Sequence, residues 1–390
     1  MNSFHRNRRQ FLKFSGFAAA GSLMPGVFMK SCADAASKLL YVGTYTSGNS
    51  AGIYHCRFWY DTGKLELVGE TPGITNPSYL AIAPNGAYLY SVIQVGDYQG
   101  RETGGVAAFA IARESGALTV LNQQASEGAG PCYISTDKEN RYVLVANYTS
   151  GTVAALPLAR DGRLEEASGV VQHTGSSVNE RRQQGPHAHC IMFDPDNRYV
   201  FATDLGIDKI LIYAFDQSNG TLTPNDQPFV KTAPGAGPRH IVFPPSGKWL
   251  FAINELNSTI TSYSYDKSAG LLREEQTVSA LPPGFEESNT CADIHVSPDG
   301  KFLYGSNRGH NSIVAFAVNP DTGKLSYAAH ESTRGNTPRN FIIDPTGNFL
   351  LAANQNSDSI TIFRRDNKSG TLTFTGRSLE IPSPVCLKFL

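Results

Sequence analysis

The chain has 390 residues, of which 41% are hydrophobic and 10% aromatic, with a formal net charge of −1. This describes a globular protein with a large core, and its Lys and Arg are scattered, so neither a nucleic acid nor another polyanion is an expected partner. The six cysteines, at 32, 56, 132, 190, 291 and 386, form no Cys-x-x-Cys pair and read mostly as reduced core thiols, although an exported location would permit one disulfide.

Residues 1–37 read as an export signal and linker. Arg6-Asn7-Arg8-Arg9-Gln10-Phe11-Leu12-Lys13 is a charged twin-arginine segment, and an apolar stretch follows from Phe14 to Met29. Asn7 stands where Ser or Thr is usual, and Pro25 breaks a stretch too short for a permanent membrane helix. Cleavage before Cys32 would leave a lipid anchor there, whereas cleavage after Ala33-Asp34-Ala35 would release the protein. Both routes remain open, and either makes the expected location periplasmic, with the membrane touched only through Cys32.

From residue 38 onward the sequence repeats. Gly-x-Leu recurs seven times, beginning at Gly63, Gly116, Gly162, Gly220, Gly270, Gly323 and Gly370, with spacings of 53, 46, 58, 50, 53 and 47 residues. That period suits a four-stranded blade and is too long for a helical hairpin. A second signal, phased against the first, is a turn followed by an aromatic run, as in Pro84-Asn85-Gly86 before Ala87-Tyr88-Leu89-Tyr90 and Pro298-Asp299-Gly300 before Lys301-Phe302-Leu303-Tyr304. Pro presets the turn and Gly accepts a positive φ, while the aromatic and aliphatic residues suit a half-buried pleated surface. Each repeat therefore reads as four short antiparallel strands.

The turn unit appears six times against seven copies of Gly-x-Leu. The missing unit is found at the two ends: a strand from Lys38 to Val42 and a C-terminal run, Val385-Cys386-Leu387-Lys388-Phe389-Leu390, which resembles an innermost strand. The expected fold is all-β, a single seven-bladed β-propeller over 38–390, closed by pairing the N- and C-terminal strands so that no sheet edge is left open. Length alone would have suggested two or three domains.

Polar residues at the ends of inner strands, near the central channel, are the first candidates for chemistry. Gly185-Pro186-His187-Ala188-His189 opens one inner strand, and alternation predicts that both histidines face the same way. The matching positions in later blades are Gly237-Pro238-Arg239-His240 and Thr337-Pro338-Arg339-Asn340. Just after the second strands stand Asp204 with Asp208, Asn254-Glu255, Asn307-Arg308 and Asn354-Gln355. Equivalent positions surround one axis in a propeller, so His187, His189, Arg239, Glu255 and Arg308 are expected to share a pocket, with His240, Asp204, Arg339 and Arg182 as substrate-binding candidates. Such a set suits attack on a small anionic ester or lactone: an imidazole or carboxylate activates water, and guanidinium groups stabilise the oxyanion and hold an anion. Two segments are longer than hairpins need and could cap this pocket, Gln94 to Gly105 and Gly175 to Gly185, the latter carrying Arg181-Arg182.

Gly-Pro-His-Ala-His, Gly-Pro-Arg-His, Asn-Glu-Leu and Ser-Asn-Arg-Gly-His-Asn-Ser-Ile together resemble the propeller-type 6-phosphogluconolactonase family, which also includes a carboxymuconate lactonizing enzyme. The resemblance spans residues 38–390. It implies a metal-independent lactonase with His187 or His189, Arg239, Glu255 and Arg308 as active-site residues, acting on an anionic sugar lactone. No cofactor is implied. The family acts on a phosphorylated substrate in the cytoplasm, so the export signal points instead to an unphosphorylated or uronic sugar lactone.

Other readings follow from other features. The Asn-x-x-x-x-Ser-Ile lines also resemble exported propellers that act as binding scaffolds, and a lactone-forming cycloisomerase would use a similar pocket. His187-x-His189 beside Cys190, Asp204, Asp208 and Glu255 offers imidazoles to a metal, but no third ligand stands at a diagnostic spacing, and no metal is expected. Gly48-Asn49-Ser50-Ala51-Gly52 matches Gly-x-Ser-x-Gly, yet strand follows strand there, and a nucleophile elbow needs a helix.

Overall fold

A computed structural model describes residues 37–390; the twin-arginine segment and Cys32 lie outside the described residues. Among the described residues twenty-eight strands form seven four-stranded antiparallel sheets, and two short 3₁₀ turns, Leu205–Ile207 and Gln355–Ser357, connect the second and third strands within two of them. Blade 1 combines residues 37–72 with 384–389; blades 2 to 7 occupy 80–125, 131–172, 188–231, 238–279, 290–332 and 338–380. The all-β, seven-bladed architecture is therefore the one the repeats predict.

The ring closes as the terminal strands predict. Pro384–Phe389 is the inner strand of blade 1 and pairs antiparallel with Ser37–Thr44, setting Leu40 opposite Phe389 and Val42 opposite Leu387. The closing strand is also tied sideways: Leu387 N–H donates to Asn340 Oδ1 of blade 7 at 2.7 Å, and Leu80 N–H of blade 2 donates to Cys386 Sγ at 3.3 Å.

Second strands are almost wholly buried, as in Tyr142–Asn147, while outer strands such as Leu118–Ala125 are largely half-buried or exposed. Apolar side chains of adjacent blades interdigitate, for example Phe349, Leu351 and Ile360 of blade 7 with Leu40, Val42 and Phe58 of blade 1. The five described cysteines, Cys56, Cys132, Cys190, Cys291 and Cys386, are buried free thiols.

The two repeating sequence signals touch each other across blade boundaries. In six of the seven Gly-x-Leu copies the glycine packs against the aromatic residue that opens the second strand of the preceding blade: Gly162 on Tyr88, Gly220 on Tyr142, Gly270 on Tyr199, Gly323 on Trp249, Gly370 on Phe302, and Gly63 on Phe349 around the closure, whereas Gly116 meets Leu39 and His55. Tyrosine hydroxyls reinforce these joints by donating to glycine carbonyls, Tyr304 to Gly370 at 2.8 Å and Tyr90 to Gly162 at 3.1 Å. Gly370 needs glycine twice over, because its φ of +75° is left-handed and a Cβ would overlap the Phe302 ring.

Gly370→Ala should therefore destabilise the propeller by more than the ~1–2 kcal/mol of the backbone strain alone, measured by denaturant unfolding against a surface control. Removing residues 384–390 should expose the edge of Ser37–Thr44 and yield aggregated or partly unfolded protein on size exclusion. A monodisperse, cooperatively melting truncation would mean that closure contributes little.

Candidate active site

Two recurring backbone positions build the site. The first is a β-bulge at the start of the inner strand. In blades 3, 4, 5 and 7 the register slips between Pro131 and Tyr133, Ala188 and Cys190, Pro238 and His240, and Pro338 and Asn340. Each slip leaves one residue unpaired: Cys132, His189, Arg239 and Arg339. A bulge re-aims its extra side chain, and here the extra residues converge on the channel. The second position lies at the end of the second strand: Gln94, Tyr148 and Glu255 directly follow it and Arg308 is its last residue.

A cavity of about 290 Å³ lies among these groups, lined by Gln94, Cys132, Tyr148, Arg182, His189, Glu255, Thr290, Arg308 and Arg339. Its size is at the lower end for small-molecule sites and fits one sugar-sized ligand.

Glu255 is the hub. Its carboxylate is 4% exposed and meets Arg182 Nη2 at 2.6 Å through Oε1, and Arg239 Nε at 3.0 Å and Arg308 Nη2 at 2.8 Å through Oε2. Burial alone would raise its pKa, but Arg308, Arg239 and Arg182 outweigh that and hold it at about 2. The expectation that Glu255 activates water is corrected by this geometry. Both oxygens are committed to guanidinium groups, and a carboxylate so strongly held in its ionised form is a poor proton acceptor.

The arginines differ in freedom. Arg239 is 1% exposed and fixed behind the cavity, with Nη1 donating to His240 Nε2 at 3.1 Å and to the Ala292 carbonyl. Burial and then the neighbouring Arg308 and Arg339 lower its pKa to about 10, so it stays charged at neutral pH. Arg308 Nη2 also donates to the Cys291 carbonyl at 2.8 Å, but its Nε is buried with no partner among the described residues. Arg182 reaches in from the segment 175–185 and donates to Tyr148 Oη at 3.1 Å. Its neighbour Arg181 is exposed. Arg339 forms no ion pair among the described residues and lies over the Tyr45 ring at 5.5 Å.

The two histidines are not equivalent, contrary to the alternation argument. The bulge breaks the two-residue period, so His189, and not His187, occupies the position of Arg239 and Arg339. His189 lines the cavity, 4% exposed, with Nδ1 buried and unpartnered among the described residues. Burial, then Arg239, His240 and Arg339, push its pKa well below 6.5 and keep the imidazole neutral. His187 precedes the strand. Its ring stacks on Tyr148 at 4.5 Å and 12°, and Nδ1 lies 2.9 Å from the Tyr148 carbonyl, which can only accept. His187 thus buttresses one face of Tyr148 while His189 meets the same ring edgewise at 5.5 Å.

Two expected substrate contacts are placed elsewhere. Asp204 is fully buried and accepts from His173 Nδ1 at 2.7 Å, His187 N–H at 2.7 Å and Gly206 N–H at 3.0 Å, so it caps the 3₁₀ turn and holds the strand entrance. His240 lies behind His189 and Arg239, with Nδ1 2.7 Å from Asp293. The sequence reading missed Tyr148, Cys132 and Thr290, while Gln94 opens the segment it expected to cap the pocket. Tyr148 follows Asn147 as Glu255 follows Asn254 and Arg308 follows Asn307, so the pattern that located those two also contained it.

Residues 39–389 match the family model of the seven-bladed β-propeller lactonases. A 6-phosphogluconolactonase of Bacillus subtilis is 43% identical over 352 residues, covering 90% of this chain and 97% of that relative. A 6-phosphogluconolactonase of Formosa agariphila is 38% identical over 306 residues, covering 77% and 85%. The solved periplasmic gluconolactonase of Pseudomonas aeruginosa superposes with a TM-score of 0.86 at 36% identity, covering 91% of this chain and 99% of that one. Similarity at this level, running through every blade, establishes that this chain belongs to the seven-bladed β-propeller lactonase family of carboxylic ester hydrolases.

Proposed function

We propose that the protein hydrolyses an anionic sugar lactone at this cavity. The observation that carries the reading is the charge pattern: Arg182, Arg308 and Arg339 line the cavity with one carboxylate, Glu255, beside a neutral imidazole, His189. With Arg239 behind them, four guanidiniums lie near two buried carboxylates, Glu255 and Asp293, so an incoming carboxylate or phosphate meets an excess of positive charge. The resemblance to 6-phosphogluconolactonases and to a periplasmic gluconolactonase supports a sugar lactone as substrate.

In this mechanism water attacks the lactone carbonyl carbon and His189 accepts the water proton. Charge develops on the carbonyl oxygen, where Arg308, with an unpartnered buried Nε, supplies a preorganised donor. The ring C–O bond then breaks, and the imidazolium returns its proton to the departing ring oxygen, giving the open hydroxy acid. Arg339, free of ion pairs among the described residues and lying over the Tyr45 ring, holds the substrate anion. Glu255 fixes the three guanidiniums and stays ionised throughout.

The reading extends to export. The twin-arginine segment would carry the folded propeller to the periplasm, where an unphosphorylated, uronic type of sugar lactone is the better candidate. Cys32 would be the only point of membrane attachment.

The test is a panel of glucono-1,5-lactone, its 6-phosphate and uronic lactones, corrected for spontaneous opening. His189→Ala should lower kcat by about 10²–10⁴-fold and Arg308→Ala by about 10²–10³-fold on the substrate the wild type prefers. No opening above the spontaneous rate across the panel would sink the enzyme reading in favour of a binding scaffold. Because the folded pKa of His189 lies well below 6.5, kcat/KM should still be near its plateau at pH 6.5 and fall only in more acid solution. A half-loss at or above pH 6.5 would assign the proton transfer to another group.

Glu255→Gln leaves three guanidiniums without their counter-charge and should cost about 3–5 kcal/mol of stability at neutral pH. The folded pKa of Glu255, about 2, lies below its usual 4.5, so its contribution is complete above pH 4.5 and is lost as pH falls toward 2. The stability gap between wild type and variant should narrow over that window in pH-dependent denaturation.

A further inference from the structure

Behind the cavity a second buried carboxylate, Asp293, sits where the inner strand of blade 6 departs from the other blades. The register passes from Cys291 opposite Asn307 to Ile294 opposite Gly305, leaving Ala292 and Asp293 to face the single residue Ser306. This bulge grips Arg239 by two routes. The Ala292 carbonyl accepts directly from Arg239 Nη1, and Asp293 Oδ1 lies 2.7 Å from His240 Nδ1, while His240 Nε2 lies 3.1 Å from the same Nη1.

The proton positions follow from the partners. Arg239 can only donate, so His240 Nε2 must be the bare acceptor, and His240 Nδ1 must carry the proton it gives to Asp293. Asp293, 2% exposed, is itself fixed by His295 Nε2 at 2.9 Å, by Phe341 N–H at 3.3 Å and by Asn340 Nδ2. His240 is further enclosed by the rings of Tyr133 at 5.1 Å, His189 at 5.2 Å and Tyr79 at 5.7 Å, and none of these contacts gives it a second orientation. Burial and the nearby Arg239 hold the pKa of His240 at about 3, in agreement with a neutral ring.

We propose that Asp293 and His240 are a positioning pair for the lactonase site: Asp293 fixes the Nδ1–H tautomer of His240, and that tautomer presents the acceptor which aims Arg239 at Glu255. Neither residue touches substrate. The opposite tautomer would point N–H at the N–H of Arg239, and the guanidinium would have to turn away from Glu255 Oε2, loosening Arg308 with it.

The consequence for rate rests on the lactonase reading, whereas the tautomer does not, so the two can fail separately. In the wild-type protein, ¹⁵N NMR of the imidazoles should give His240 with a protonated Nδ1 and a bare Nε2; a protonated Nε2 overturns the proposal whatever the enzyme does. Asp293→Asn, with nearly the same shape, can donate to Nδ1 and invert the tautomer. It should lower kcat at least tenfold with KM changed less than threefold, on whichever lactone the wild type opens. His240→Gln, whose amide can donate to Asp293 and accept from Arg239, should keep kcat within about threefold, whereas His240→Leu should behave like Asp293→Asn. Unchanged kcat in folded Asp293→Asn, or equal losses in the Gln and Leu variants, would reduce the pair to packing. If Asp293→Asn does not fold, the wild-type spectrum and the Gln/Leu comparison still decide.

Discussion

Glu255 is the group on which the site depends, because four guanidiniums cannot be brought into one buried region without an anion at its centre. Its two oxygens engage three of them at 2.6 to 3.0 Å. Withdrawing a carboxylate from water is costly, and it is offset here by three ion pairs, two of which, from Arg182 and Arg239, are also directed hydrogen bonds. The arrangement is deliberately unbalanced in charge. Glu255 fixes three of the arginines, while Arg339 is left without an ion pair among the described residues.

The positions of these charges follow from the propeller. A bulge at the entrance of an inner strand turns one residue out of the ladder, and repeating it in four blades turns Cys132, His189, Arg239 and Arg339 toward the channel. The blades must be held rigidly for such side chains to meet within hydrogen-bond distance. The glycine-on-aromatic joints and the shared first blade provide that rigidity, since each blade is keyed to its neighbour and the ring has no free end.

Protonation states in the site are set largely by burial and by the arginines together. Arg239 acts on both kinds of group: with Arg308 and Arg182 it holds Glu255 ionised, and with burial it helps keep His189 and His240 neutral, so carboxylate and imidazole pKa values are all lowered. An anion arriving beside Arg339 would reduce the positive field at His189 and raise its basicity when substrate is bound.

The sequence by itself determined the fold and most of the site's composition. Seven Gly-x-Leu turns, six aromatic turn units and a split terminal pair specify seven blades and their closure, because each signal is local turn or strand chemistry repeated at a blade's length. The same periodicity located Arg239, Glu255, Arg308 and Arg339, and the loop reading found Arg182. What only the tertiary structure decided was direction. Alternation along a strand assigns His187 and His189 to one face, but a bulge adds a residue without any signature in the letters, and it sends His189 into the cavity while His187 stacks on Tyr148. Asp204 and His240 carry the right chemistry for a substrate contact, yet their partners, His173 and Asp293, come from segments 31 and 53 residues away in sequence. Glu255 reads as a base until three arginines from three different segments are seen to occupy both of its oxygens. Residue types and spacings are written in the chain, whereas the commitment of a polar atom to one partner is settled only when distant strands pack around it.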